Sequence, residues 1–195
     1  MKKLLLFLCC ICCSVAWAQK NLAVVSEFNG VKVFSDSRPV ADYEVLGEVS
    51  VSSKGGVYMI NVGGMMMAGN SSLQYNELRN ALVANAVLAN REVEGIILQV
   101  ADRKSPAATM IKFKDGQKNT NLAKVNQYMG VYTFVDCQPE SEYVFKKKVK
   151  IGGLEGGYDD IRKTLTKKAS RKKCNGIIVH FVTGGYDYAE AIQLP

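Results

Sequence analysis

Apolar residues recur along this chain with two different periods, and the periods predict its elements. Two blocks place them three or four apart: Tyr75, Leu78, Leu82 and Ala86, and later Tyr158, Ile161, Leu165 and Ala169. That spacing puts each set on one face of an α-helix, so two amphipathic helices are predicted. Other blocks read as strands. Val31 and Val33, the run from Tyr43 to Val51, and the short runs Gly95-Ile96-Ile97-Leu98 and Gly176-Ile177-Ile178-Val179 are rich in β-branched and aromatic residues. A final strand is predicted at Thr109 to Phe113 and again at Ala189 to Leu194, and Asn29-Gly30 favours a two-residue hairpin turn.

The two sets of blocks align with each other. At an offset of 100, Asn21-Leu22-Ala23 matches Asn121-Leu122-Ala123, and Phe34, Asp36, Pro39, Tyr43 and Val49 match Phe134, Asp136, Pro139, Tyr143 and Val149. At an offset of 83, Tyr75, Leu78, Arg79 and Leu82 meet Tyr158, Ile161, Arg162 and Leu165; at 81, Gly95-Ile96-Ile97 meets Gly176-Ile177-Ile178. A self-match that holds its register indicates an internal repeat. The expected fold is therefore α+β: two tandem copies of a small βαββ-type two-layer module with an extra N-terminal hairpin strand. Residues 21–115 form the first copy, with a Met- and Gly-rich insertion at about 52–73, and residues 121–195 the second. One helix covers one face of so small a sheet, so the other face is expected to pack on the second copy.

The order of these blocks, with Tyr43-Glu44-Val45-Leu46-Gly47-Glu48-Val49 before the helix and Gly95-Ile96-Ile97 after it, resembles the YbjQ-type family, which carries a heavy-metal-binding label. The resemblance implies a dodecin-subunit-like βαββ fold, similar to a unit in the envelope-stress lipoprotein of the Rcs pathway. It implies oligomeric or interacting modules and leaves the chemistry open, since residues 19–115 hold no Cys or His.

The first 18 residues form a pattern of their own. Lys2 and Lys3, the apolar run Leu4 to Val15 and Ala16-Trp17-Ala18 match the three regions of a cleavable signal peptide, so the protein is expected to be periplasmic or secreted from Gln19 onward. A lipid anchor is the alternative, because Cys9, Cys10, Cys12 and Cys13 lie in this run, but none follows the small-residue triplet. No later run is long enough to span a bilayer, which takes about 20 apolar residues.

Cleavage would leave two cysteines, Cys137 and Cys174. In an oxidising compartment such a pair predicts a disulfide, whose loop closure would contribute about 3 to 4 kcal/mol. Two free thiols, or a metal or ligand site with His180 as a third ligand, are the alternatives. His180 otherwise reads as a solvent-exposed strand residue, and no cofactor is expected. Asp36 and Asp136 read as turn caps ahead of Pro39 and Pro139, and Tyr43 and Tyr143 as packed rings with wet hydroxyls.

Two segments belong to one copy only. Tyr58, Met59, Met65, Met66 and Met67 in the insertion read as inter-module packing or an adaptable contact loop, because consecutive residues on an extended chain cannot converge on one soft metal ion. The glycine pairs Gly152-Gly153 and Gly156-Gly157 read as a tight connection into the second helix. Charge separates the copies further: residues 21–115 carry 9 basic and 10 acidic side chains, a net of −1, and residues 121–195 carry 12 and 8, a net of +4. Much of the excess is Arg162, Lys163, Lys167, Lys168, Arg171, Lys172 and Lys173, on the second helix and its exit.

Such a surface suits an anionic envelope polymer, a lipid headgroup or another envelope protein. Nucleic acid does not fit an exported chain whose charges have no interleaved aromatic residues. The expected function is a non-catalytic exported binding, sensory or structural protein of the cell envelope, with further homo-oligomerisation an option. A binding module using Cys137, Cys174 and His180 is second, and an enzyme third, because no nucleophile and base pair stands out.

Overall fold

The computed structural model describes residues 20–54, 57–62, 65–69, 75–99, 107–151, 158–182 and 186–195. The expected signal peptide and the glycine pairs at 152–153 and 156–157 lie outside the described residues. In chain order, β1 (Leu22–Val25), β2 (Glu27–Phe28), β3 (Val31–Ser35), β4 (Ser37–Pro39) and β5 (Tyr43–Ser50) precede a meander of β6 (Ser52–Lys54), β7 (Val57–Val62) and β8 (Met65–Gly69). Helix α1 (Tyr75–Ala89) then leads into β9 (Gly95–Gln99) and β10 (Ala107–Phe113). The second half runs β11 (Leu122–Val125), β12 (Gln127–Tyr128), β13 (Val131–Val135), β14 (Cys137–Pro139), β15 (Val144–Lys150), α2 (Tyr158–Ser170), β16 (Gly176–His180) and β17 (Tyr188–Gln193). The protein is α+β: mostly strand, with two helices among the described residues.

Ten strands form one mixed sheet. Its main path is β15-β17-β16-β13-β3-β9-β10-β5, with β2 and β12 hairpinned onto β3 and β13. The halves join at its centre, where Val135 of β13 pairs antiparallel with Ser35 of β3. On either side β3 runs parallel to β9 and β13 parallel to β16, each reached through a helix as a parallel pair requires. Both helices therefore lie on the same face. Leu78, Leu82, Val83 and Ala86 of α1 and Leu165 and Ala169 of α2 pack into one core with Val33, Val49, Ile96, Val149, Ile177 and Val179.

The opposite face is not covered as expected. Its cover is a four-stranded sheet in the order β14-β1-β11-β4, to which each half contributes two strands. In it β1 pairs with β11 and β14, and β11 pairs with β4, so the first strand of each half hydrogen-bonds to the other half. Alternation in β1 and β11 turns Ala23, Val25, Ala123 and Val125 inward onto Phe34, Phe134, Ile178 and Ile192. Phe34 and Phe134 are fully buried there, each contributing roughly 1.5 to 3 kcal/mol by removal from water. Sequence periodicity selects which residues point inward but not which strand lies next to them, so this exchange was not foreseen.

Two local features support the register. The β2–β3 turn has Asn29 at φ 50° and Gly30 at φ 79°, the doubly positive geometry that the dipeptide predicted, and Met129 and Gly130 repeat it at 52° and 76°. Gly95 and Gly176 pack where a Cβ would lie 3.1 Å from Ile111 and 2.9 Å from Ile192, so a larger residue at either place would force those isoleucines to shift. The insertion, expected to serve in packing or as a contact loop, is extended and paired, with Ile60 opposite Met67 and Asn61 opposite Met66. The side chains of Tyr58, Met59, Met65, Met66 and Met67 lie outside the described residues.

Candidate anion-binding groove

The residues that the two halves share meet across the junction, each with partners from the other half. Asp136, between β13 and β14, accepts hydrogen bonds from Arg79 (2.7 Å) and Tyr75 (2.6 Å) of α1 and from the Ser35 hydroxyl (3.0 Å). Asp36, between β3 and β4, accepts from Arg162 (2.8 Å) and from the Tyr158 hydroxyl of α2. Arg79 lies over the Phe28 ring at 3.8 Å and Arg162 over Tyr128 at 4.4 Å. Tyr75 and Tyr158 stack on each other at 5.4 Å, and Phe181 stacks on Tyr75 at 4.2 Å. Burial, reinforced by the facing aspartates, pushes both tyrosine hydroxyls well above their ordinary range.

This corrects the expectation for Asp36 and Asp136. Both take positive φ, 50° and 52°, which Asp tolerates, and their carboxylates hold the other half's helix rather than capping a turn. It also removes Arg162 from the expected anion surface, since its charge is engaged by Asp36 and its side chain is only 20% exposed. A salt bridge formed between residues more than 50 positions apart leaves no spacing signal. The matched Asp, Tyr and Arg in the repeat were its only trace.

The expected disulfide is overturned as well, and the alternative of two free thiols holds. Cys137 and Cys174 are both free. Cys137 begins β14 of the four-stranded sheet and packs with Val125 and Phe134 in the core between the two sheets, whereas Cys174 sits in the helix-side core, so the main sheet lies between their surroundings. Burial pushes the Cys137 thiol up to about 12 and raises that of Cys174, which makes both poor nucleophiles. Cys137 replaces Ser37, itself buried, and so reads as a small core residue. His180 is half-buried rather than exposed, stacked on Tyr188 at 4.6 Å and 3.3 Å from Glu190. Among the described residues no three His, Cys, Asp or Glu side chains gather as a metal site, and Cys137, Cys174 and His180 do not come together.

The other predicted basic residues do meet partners that the sequence reading missed. Helix α2 packs beside β15, the outermost strand, and the two elements enclose a groove of about 320 Å³ lined by Lys147, Lys148, Val149, Lys150, Lys168, Arg171 and Lys172. No acidic residue is in that lining. The Lys168 ammonium donates to the Lys150 carbonyl at 2.5 Å, tying helix to strand. In the other half the same tie is a neutral one, Asn85 to the Ser50 carbonyl at 3.4 Å. Lys148 also stands 3.4 Å over the Tyr188 ring. Of the remaining predicted residues, Lys163, Lys167 and Lys173 are exposed outside the lining. The signal overlooked was the run Lys146-Lys147-Lys148-Val149-Lys150, whose proximity to α2 depends on strand order.

Six cationic residues line this groove, and each neighbouring pair repels by roughly 0.5 to 1 kcal/mol at a separation of several ångströms in water. An anion seated on the helix side, by Lys147, Lys168, Arg171 and Lys172, relieves the repulsions among those four, and salt screens the gain over about 10 Å. No protein-family model, curated protein or solved structure matched this chain.

Proposed function

We propose that this chain is an exported, non-catalytic binding protein of the cell envelope, built from a duplicated βαββ-type unit of the YbjQ-like kind, and that it binds an anionic envelope component through the groove between β15 and α2. One observation carries the reading. Every cation in the groove is replaced by a neutral or acidic residue at the matching place in the other half: Lys147, Lys148 and Lys150 stand against Gly47, Glu48 and Ser50, and Lys168, Arg171 and Lys172 against Asn85, Leu88 and Ala89.

Shared residues such as the Asp, Tyr and Arg clusters are used up inside the fold, so they offer a ligand no free charge. The groove is where one half has gained a charged surface of which the fold engages only part, Lys168 through the Lys150 carbonyl and Lys148 over the Tyr188 ring. The test is binding of inorganic polyphosphate to the chain from Gln19 onward. Lys147→Glu, Lys168→Glu and Arg171→Glu together should weaken it at least 100-fold, and raising salt from 50 to 200 mM should weaken the unaltered protein severalfold. Affinity unchanged by the triple substitution, in a protein whose circular dichroism is unaltered, overturns the reading.

A further inference from the structure

We infer that the anionic partner is a membrane surface, met edge-on by strand β15. The inference rests on the groove reading above and names its ligand. At and just before its N-terminal end β15 carries a group that a soluble polyanion cannot use: Tyr143, Val144 and Phe145 are 38%, 58% and 54% exposed. Lys146, Lys147 and Lys148 follow at once, all exposed.

The register places these residues on both sides of the edge. Phe145 lies opposite Ile192 and Val144 opposite Gln193; then one extra residue, Lys146, is accommodated before Lys147 meets Ala191 and Lys148 meets Glu190. Phe145 and Lys148 therefore project from one face of the sheet, and Val144 and Lys147 from the other, toward α2. Each face thus presents an apolar side chain followed by an ammonium, along an edge about 23 Å long. Lys168, Arg171 and Lys172 flank it on the helix side.

Aromatic and aliphatic side chains next to lysines are the chemistry of the bilayer interface. Rings and branched chains enter the boundary between headgroups and acyl chains, while ammonium groups stay among the phosphates. The opposite end of the sheet supplies the internal contrast. There Val45 is also exposed, at 61%, but its neighbours are Glu44 and Glu48, which an anionic surface repels. An edge that merely needed protection from self-pairing would be served by lysines alone.

The chain from Gln19 onward contains every described element and no tryptophan, since Trp17 is the sole one. Phe145→Trp is therefore a single-site reporter. Its emission should shift to the blue with phosphatidylglycerol-containing vesicles and stay unchanged with phosphatidylcholine alone. Val144→Ser with Phe145→Ser should lower vesicle binding about tenfold or more while leaving polyphosphate binding intact. Absence of the blue shift, or vesicle binding indifferent to the serine pair, overturns the membrane assignment and leaves the groove in place. Loss of polyphosphate binding and vesicle binding alike in the unaltered chain removes both.

Discussion

The junction between the two halves and the outer edges of the ten-stranded sheet have followed different rules. At the junction the halves share the charged and phenolic partners: Asp36 holds Tyr158 and Arg162, and Asp136 holds Tyr75 and Arg79. At the edges they differ in sign, with Glu44 and Glu48 on β5 against Lys146, Lys147, Lys148 and Lys150 on β15. The difference follows from solvation. A charge withdrawn from water is tolerable only with its partner in place, so neither member can change alone. A charge at a wet edge has no such tie and can change with the surface it meets.

The comparison can be broken most forcefully at the aspartates. Asp136→Ala leaves Arg79 without its carboxylate in a site where the two side chains are 11% and 9% exposed, and should cost about 3 to 5 kcal/mol in urea unfolding. Asp36→Ala should cost less, about 2 to 3 kcal/mol, because that pair is wetter and Val135 stands where Ser35 does in the other cluster. Equal losses would show that the two clusters are energetically equivalent despite their geometry.

Alkaline pH tests the same clusters more gently. Tyr75 and Tyr158 titrate higher in the folded protein than in the unfolded chain, so the folded state retains protons that the unfolded state releases above its tyrosine value of about 10. Stability should be level in this respect below that pH and then fall by up to about 1.4 kcal/mol per pH unit for each tyrosine, until the folded-state value is passed. Urea midpoints at pH 9, 10 and 11 would show it. Tyr75→Phe and Tyr158→Phe should each remove part of the slope.

The smallest effect is expected within the helices. Thr166 is fully buried and its hydroxyl has no hydrogen-bond partner among the described residues, whereas its match in α1 is Val83. Thr166→Val should raise stability by about 1 kcal/mol, and Val83→Thr should lower it by a similar amount. A loss on Thr166→Val, measured by thermal unfolding, would show that the hydroxyl is satisfied after all.

These contrasts also mark what could be read in advance. The helices, the strands flanking them and the Asn29-Gly30 turn lie where their periods and turn residue indicated, because those signals act between near neighbours in the chain. The basic helix was visible, but its groove was only half legible: Lys168, Arg171 and Lys172 were singled out, while Lys147, Lys148 and Lys150 became relevant only once β15 was known to be the edge strand beside α2. The cysteines misled because pairing was argued from compartment and number, whereas contact depends on which side of the sheet each occupies.

The sequence by itself therefore determined the two helices, the strands flanking them and the excess of positive charge in one half. Only the tertiary structure decided that β1 and β11 cross to the opposite halves, that each aspartate reaches the other half's helix, and that the lysines of strand and helix line one groove. The division has a physical cause. Periodicity and turn preference are local and additive along the chain, whereas a strand's neighbour and a buried charge's partner are chosen by packing between segments that the order of residues leaves far apart.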